Sequence, residues 1–366
     1  MVRGDSGIVL VNVSGTTASV EITVPMADGT YTDQITGEKF TVSDGKITGT
    51  IGESGIAVVY EKNTDLFKLD GATMTLGNSL DINFFIKPSD LDANESYYAV
   101  ITKTYADGRD DVVVTVPQAD WQWHEGYGQY YVTFDGVAAK EMCDDLTVVV
   151  YSKGEAVSQV WTDSVRDYTM RVMKNEVQKK ASDDQKMALY VEMLNYGAAA
   201  QIEFDYNTSD LANKLLTDEQ KAYALQDNVA MEDKRVKGEG YSATNLTLES
   251  NITMNFFFLN TVIPSNHDDF YAIATFTDHY GDEQKVRIEG EDFRQLKNDT
   301  DWYVPVTGLV VADCRQLVTV KVYNAEDAEV ASAVDSIESY VARNVNKKDI
   351  YLAILKFGIA AYESFH

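Results

Sequence analysis

The stretch Trp121-Gln122-Trp123-His124-Glu125-Gly126-Tyr127-Gly128-Gln129-Tyr130 places flat rings, side-chain amides and a carboxylate on glycine-punctuated backbone. A flat ring can lie against the apolar face of a pyranose while polar groups at its rim take the hydroxyls, so these residue types in this order suit carbohydrate contact. The rings are not equivalent. Laid over residues 293–302, their counterpart in the repeat described below, Trp121 falls on Phe293 and Tyr130 on Trp302, which marks both as core residues. Trp123 and Tyr127 fall on no aromatic residue and are expected at the surface. Those two are the candidate carbohydrate-binding residues. The competing reading is that their rings close the edge of a sheet.

Other chemistries have weaker support. The histidines His124, His267, His279 and His366 show no ligand spacing and no match between the repeats. They are expected at the surface, since zinc needs three or four converging ligands. Cys143 and Cys314 lie one residue out of register in the two repeats and are expected to be small buried strand residues, neither disulfide-bonded nor metal-bound. Carboxylates are abundant, but a glycosidase pair is defined by separation in space and not by number. Most of the acids fall in turns. Asp107-x-x-Asp110-Asp111 and Asp278-x-x-Gly281-Asp282-Glu283 could hold Ca2+ with carbonyl help; otherwise no cofactor is expected. No phosphate loop, serine elbow or Cys/His arrangement stands out, and no catalytic residue is assigned.

Charge narrows the partners. There are 31 Lys+Arg against 58 Asp+Glu, a net charge of −27, which repels nucleic acid and anionic membranes and suits a neutral ligand such as a sugar. No run of residues is long and apolar enough for membrane insertion. A monomer is expected. With 45 % hydrophobic and 24 % charged residues the chain is of folded composition, and at 366 residues it is long enough for two or three domains.

The elements that must position Trp123 and Tyr127 follow from a duplication. Asn83-Phe84-Phe85-Ile86 returns as Asn255-Phe256-Phe257-Phe258, 172 residues on, and Tyr131, Gly136 and Tyr151 return as Tyr303, Gly308 and Tyr323. Ser164, Val165 and Tyr168 return as Ser336, Ile337 and Tyr340. Leu194-Asn195-Tyr196-Gly197-Ala198-Ala199-Ala200 returns 161 residues on as Leu355-Lys356-Phe357-Gly358-Ile359-Ala360-Ala361. Repeats of this kind point to binding or spacer modules more than to two complete enzyme sites. Each copy, 70–227 and 242–366, opens with short strands and turns of sandwich type. Each then shifts to helical period at 163–173 and 335–345, and again behind Ser182-Asp183-Asp184-Gln185 and over 349–365, so a helical hairpin is expected after each sandwich. The Gly-Ala-Ala segments predict a close approach of helix to sheet or helix. Thr217-Asp218-Glu219-Gln220 is a further capping box before Ala222–Leu225, and Met231–Gly240 reads as the linker between copies.

Residues 1–62 are different: short apolar runs, turn signals at Asp28-Gly29, Thr36-Gly37 and Asp44-Gly45, and no helical period, hence a small antiparallel β domain of roughly six strands. The fold expected for the whole is multidomain, a small antiparallel β-sandwich followed by two α+β repeats.

Three segments of that first domain carry a resemblance: Arg3-Gly4-Asp5-Ser6-Gly7-Ile8-Val9-Leu10-Val11-Asn12, Gly29-Thr30-Tyr31-Thr32-Asp33 and Gly55-Ile56-Ala57-Val58-Val59-Tyr60. In this order and spacing they resemble the C-terminal β domain of glycoside hydrolase family 13 α-amylases. That resemblance implies a domain packed beside a catalytic barrel that lies upstream, so no catalytic residue carries over, and it implies a fragment of a longer protein. The repeats resemble a module attached to secreted bacterial polysaccharide-degrading enzymes. Together these imply a non-catalytic accessory region, extracellular or at the cell surface, partnered by α-glucan or by the upstream catalytic domain. The alternatives are a spacer or a docking module for protein or cell envelope and, last, an independent enzyme.

Overall fold

The computed structural model describes residues 2–3, 7–60, 66–77, 79–177, 183–297 and 299–366, and the chain divides into two compact units, Met1–Leu66 and Phe67–His366.

In the smaller unit, Val2–Arg3, Gly7–Val11 and Ile56–Tyr60 make one sheet, and Ala18–Thr23, Lys46–Ile51, Lys39–Ser43 and Gly29–Thr32 make a second in that spatial order. Both are antiparallel, and the core around Phe40, Ile47 and Val59 is fully buried. Asp44 and Gly45 both take positive φ (50° and 69°), the conformation a two-residue hairpin with the right twist requires. Asp28-Gly29 closes no hairpin, because Ala18–Thr23 pairs with Lys46–Ile51 and not with the strand that Gly29 opens. Asp33 is buried at the corner after Gly29–Thr32. Burial alone would raise its pKa, but hydrogen bonds from the Thr36 hydroxyl and from the N–H groups of Val58, Ile35 and Thr36 outweigh it and hold the carboxyl below its usual range.

The larger unit is also mainly antiparallel sheet. In its first half Gly71–Leu76, Leu80–Ile86, Gln129–Val137 and Gln122–His124 form one sheet. Val112–Pro117, Tyr97–Thr104 and Asp145–Ser152 form another, which Glu155–Ala156 and Trp161–Asp163 extend. In the second half the order Tyr241–Leu248, Ile252–Phe258, Trp302–Leu309, Arg294–Gln295 faces the order Glu283–Glu289, Tyr271–Thr277, Val318–Tyr323, Glu329–Asp335, Val236–Lys237. Asn83 and Asn255 hold the same place in their sheets. The Asn83 amide donates to the hydroxyls of Thr73 and Thr75 at 3.3 and 3.0 Å, and the Asn255 amide donates to Asn245 Oδ1 and Thr247 Oγ1 at 2.8 and 2.9 Å. Phe84 and Phe256, one residue on, turn to the opposite face and are fully buried, as the period of two requires.

Among the described residues, five helices follow these sheets: α1 (Val165–Val177), α2 (Asp184–Glu203) and α3 (Asp218–Lys221) in the first half, α4 (Ile337–Asn344) and α5 (Asp349–Phe365) in the second. The hydroxyls of Ser164 and Ser336 each accept the backbone N–H three residues on, at 3.0 Å, which caps α1 and α4. Just before each cap a buried aspartate meets an arginine of the helix, Asp163 with Arg171 and Asp335 with Arg343. Asp183 caps α2 by accepting the Lys186 N–H; Ser182, expected to open that capping box, lies outside the described residues. The Thr217–Gln220 capping box forms, but α3 stops at Lys221 and does not run on to Leu225.

Three expectations need correction. The main partner of each long helix is not the short helix of its own half, although α1 touches α2 and α4 touches α5, the latter with the Tyr340 and Tyr351 hydroxyls at 3.2 Å. Instead α2 packs mainly on α5 across the halves, with the Tyr196 and Phe357 rings stacked at 5.8 Å and 25°. Close approach explains the small residues: a Cβ on Gly197 would come within 2.5 Å of Met142 Sδ, and one on Gly358 within 2.5 Å of the Val311 carbonyl oxygen. The cysteines lie on no strand. Cys143 and Cys314 follow short 3-10 turns at Ala139–Glu141 and Val311–Asp313, both thiols are free, and burial raises their pKa to about 11 and about 12. Finally, Met231–Gly240 is strapped to the second half and does not hang between halves. Val236–Lys237 pairs with Val334 and Ala333, the Lys234 N–H donates to Ser339 Oγ, and Arg343 grips Asp233 at 2.7 Å.

Candidate functional site

Trp123 and Tyr127 are exposed, at 44 % and 58 %, whereas Trp121 is 7 % exposed with its indole N–H donated to the Val116 carbonyl at 3.1 Å. Trp121 and Trp123 stand two residues apart and so share a face; Trp121 is buried there, while Trp123, on the short outer strand Gln122–His124, is not. Trp123 pairs with Tyr130, whose other neighbour is Ile86 on the core face, and meets the Tyr130 ring edge-on at 5.1 Å. Gln122 pairs with Tyr131, and Tyr131 with Phe85, on the opposite face. Tyr127 joins that second group. It stacks on His124 at 4.3 Å and 17° and stands edge-on to Phe85 at 5.3 Å. The sheet therefore does not bring the two candidate rings together: it presents Trp123 on one face and a Tyr127–His124–Phe85–Tyr131 cluster on the other. The turn that carries Tyr127 is fixed by its N–H donating to His124 Nδ1 at 3.2 Å and by Gly128 at φ 62°.

The polar rim sits beside these rings. Gln129 donates to Asp70 at 2.5 Å, and Lys87 pairs with the same carboxylate. The Lys87 hydrogen bond first, and then that of Gln129, hold Asp70 below the usual carboxylate range, so it stays an acceptor at neutral pH.

Two of the four histidines contradict the surface expectation. His267 is buried between the rings of Phe293 (5.6 Å) and Trp302 (4.0 Å), with Nδ1 donating to the Pro264 carbonyl. His279 is buried on Asp313, ring Nδ1 at 2.8 Å. Neither was legible from spacing, because each is held by tertiary neighbours. At the two Ca2+ candidates the acidic groups are engaged locally, and among the described residues no three acidic, histidine or cysteine side chains converge. Asp278 is occupied by its own turn. Burial would raise its pKa, but the N–H groups of Asp282 and Tyr280 and the Gln284 amide pull it down. Asp107 is occupied by the backbone and guanidinium of Arg109. Among the described residues no helix is long and apolar enough to cross a membrane.

A cavity of about 620 Å3 lies between α2 and α5. Its buried Glu192 is met by Lys356 at 3.3 Å and by the Leu225 N–H at 2.6 Å, and Lys356 reaches Asp227 at 3.1 Å, so one ammonium bridges two carboxylates at its floor. They hold the seam together. A second depression, of about 460 Å3, opens on the outer sheet face of the second half and is lined by Asn255, Arg287, Asp292, Arg294, Tyr303 and Pro305 among others. Sequence reasoning passed it over because its residues come from several separate segments.

In a comparison with known families, residues 5–52 match the family model of the bacterial α-amylase C-terminal domain. This is an accessory domain of such enzymes, distinct from their catalytic part. The match ends before the larger unit, which holds Trp123, Tyr127 and both cavities.

Proposed function

We propose that the chain is a non-catalytic C-terminal accessory region of a secreted bacterial α-amylase, in which a tandem pair of sandwich modules binds or presents α-glucan. The observation that carries this reading is the family match of residues 5–52, to which the larger unit adds exposed rings next to amide and carboxylate groups. The net charge of −27 supports a neutral polymer as ligand and disfavours nucleic acid and anionic lipid. The matched strand orders and the equivalent placement of Asn83 and Asn255 support the duplication.

Co-sedimentation with insoluble starch tests the reading. The parent chain is expected in the pellet, and Trp123→Ala or Tyr127→Ala should each weaken retention by about ten-fold, the effect of losing on the order of 1–3 kcal/mol of ring burial. Equal retention of the parent and both variants would remove these two rings from the site. No release of reducing sugar is expected, and release that scales with protein concentration would contradict the non-catalytic assignment. A spacer role is the second reading, favoured by the α2–α5 packing that joins the halves into one compact unit.

A further inference from the structure

The polar sheet face of the second half carries an open hydrogen-bond acceptor that the first half closes. In the first half, Thr133 stands opposite Asn83 in the ladder, and its hydroxyl donates to Asn83 Oδ1 at 2.7 Å, so both ends of that amide are bonded. In the second half the residue opposite Asn255 is Pro305, which has no donor to offer. Asn255 is 5 % exposed and its Nδ2 is used by Asn245 and Thr247. Its Oδ1 receives no hydrogen bond from the described residues, yet it is not among the atoms sealed away from solvent. It looks into the 460 Å3 groove. A buried amide left half-bonded is costly unless something from outside completes it.

The walls define what that something is. Tyr303, held at 5.0 Å by the Phe257 ring, and Pro305 give a flat apolar side. Arg287 and Arg294 give N–H donors, but neither offers a free charge. Arg287 forks onto Glu289 at 2.6 and 3.2 Å and stacks on Tyr271 at 3.7 Å. Arg294 donates to the carbonyls of Glu291 and Phe293 and lies 3.5 Å from Asp292. An apolar flat wall, a carbonyl acceptor, hydroxyls and compensated cations suit a neutral polyhydroxylated ring; an anion would find no unpaired charge and would meet a protein of net charge −27.

We propose that this groove is a neutral saccharide site, in which Asn255 Oδ1 accepts a hydrogen bond from a sugar hydroxyl and Tyr303 with Pro305 receives the apolar face of the ring. The proposal rests on the carbohydrate reading above but puts the ligand on the second half, at residues other than Trp123 and Tyr127.

Calorimetric titration of the full chain with maltoheptaose tests it. Pro305→Thr is the informative variant, because it installs the hydroxyl that closes Asn83 in the first half, and it should lower affinity at least ten-fold without lowering the melting temperature. Tyr303→Leu, which keeps apolar volume but removes the flat ring, should lower affinity too. Val13→Ala, at an exposed position of the smaller unit to which no binding role is given, should leave the isotherm unchanged. Binding by the parent chain with parent-like affinity in both Pro305→Thr and Tyr303→Leu overturns the groove and leaves the carbohydrate reading standing. No heat from the parent chain overturns both.

Discussion

In the first half of the larger unit Asn83 is bonded by Thr73, Thr75 and Thr133, and the exposed rings sit at Trp123 and Tyr127; in the second half Pro305 leaves Asn255 open, and buried His267 stacks on Phe293 and Trp302. The outer edges differ as well. Val112–Pro117 exposes Val112, Val113 and Val114 without a charge among them, whereas Glu283–Glu289 carries two glutamates, a lysine and an arginine along the equivalent edge. An apolar edge strand invites pairing and a charged one resists it. What the halves share is framework: the Asn at the sheet centre, the serine caps, the Asp–Arg pairs behind them and the glycines of α2 and α5. Apart from buried His267 and Asn255, the differences named lie on exposed surface, where a ligand or partner would be met. Differences between two halves of the same strand order therefore locate specificity better than either half does alone.

The largest effect expected from pressing on this comparison is at the tryptophans. Trp121→Ala should destabilise the larger unit by about 3–5 kcal/mol in urea denaturation, as truncation of a buried aromatic does, while Trp123→Ala should cost less than about 0.5 kcal/mol. Similar costs at the two positions would break the assignment of one to the core and the other to the surface. Next come the helix glycines. Gly358→Ala drives a Cβ onto the Val311 carbonyl, backbone that cannot swing aside, and should cost about 2–3 kcal/mol. Gly197→Ala meets the Met142 thioether first and should cost about 1 kcal/mol, because that side chain can move. Reversal of that order in thermal melts would show that the two helices do not approach their turns as described. The last effect lies outside the comparison and serves as its reference. Asp33→Asn should cost about 1–2 kcal/mol at neutral pH by weakening the hydrogen bonds at its corner. The folded carboxyl has a lowered pKa, so its contribution is full above the unfolded value near 4 and fades as pH falls through the folded one. The parent's smaller unit should therefore lose stability on acidification in a way the Asp33→Asn variant does not, and identical pH profiles would contradict this.

Much of the framework was legible in the sequence alone. Period-two runs such as Leu80–Ile86 and Tyr97–Thr104 named strands, the Thr217 capping box named a helix start, and the overlay of the two segments sorted Trp121 from Trp123. The failures are all tertiary. Nothing local says that α2 prefers α5 to its own neighbour α1, since the same Gly-Ala-Ala signal serves any close approach. The linker composition of Met231–Gly240 hid a two-residue strand, because charge and turn residues are compatible with a strap whose side chains face solvent and ion partners. Histidine spacing could not reveal stacking at His267 or the carboxylate under His279. The candidate rings were individually legible, but which face each would take depended on the Trp123↔Tyr130 register, which a short turn-containing stretch does not fix. Asn255 was noticed as part of a repeated motif, and its open acceptor became visible only when Pro305 was seen across the ladder.

Engagement of α-glucan without hydrolysis is the central claim for this region. Affinity electrophoresis of the purified full chain through native gels containing amylose, amylopectin or pullulan tests it most directly. Migration retarded in proportion to polysaccharide concentration, relative to a reference protein that does not bind it, is the predicted result. Unretarded migration through all three gels would contradict the claim and leave the compact pair of modules as a spacer or docking element.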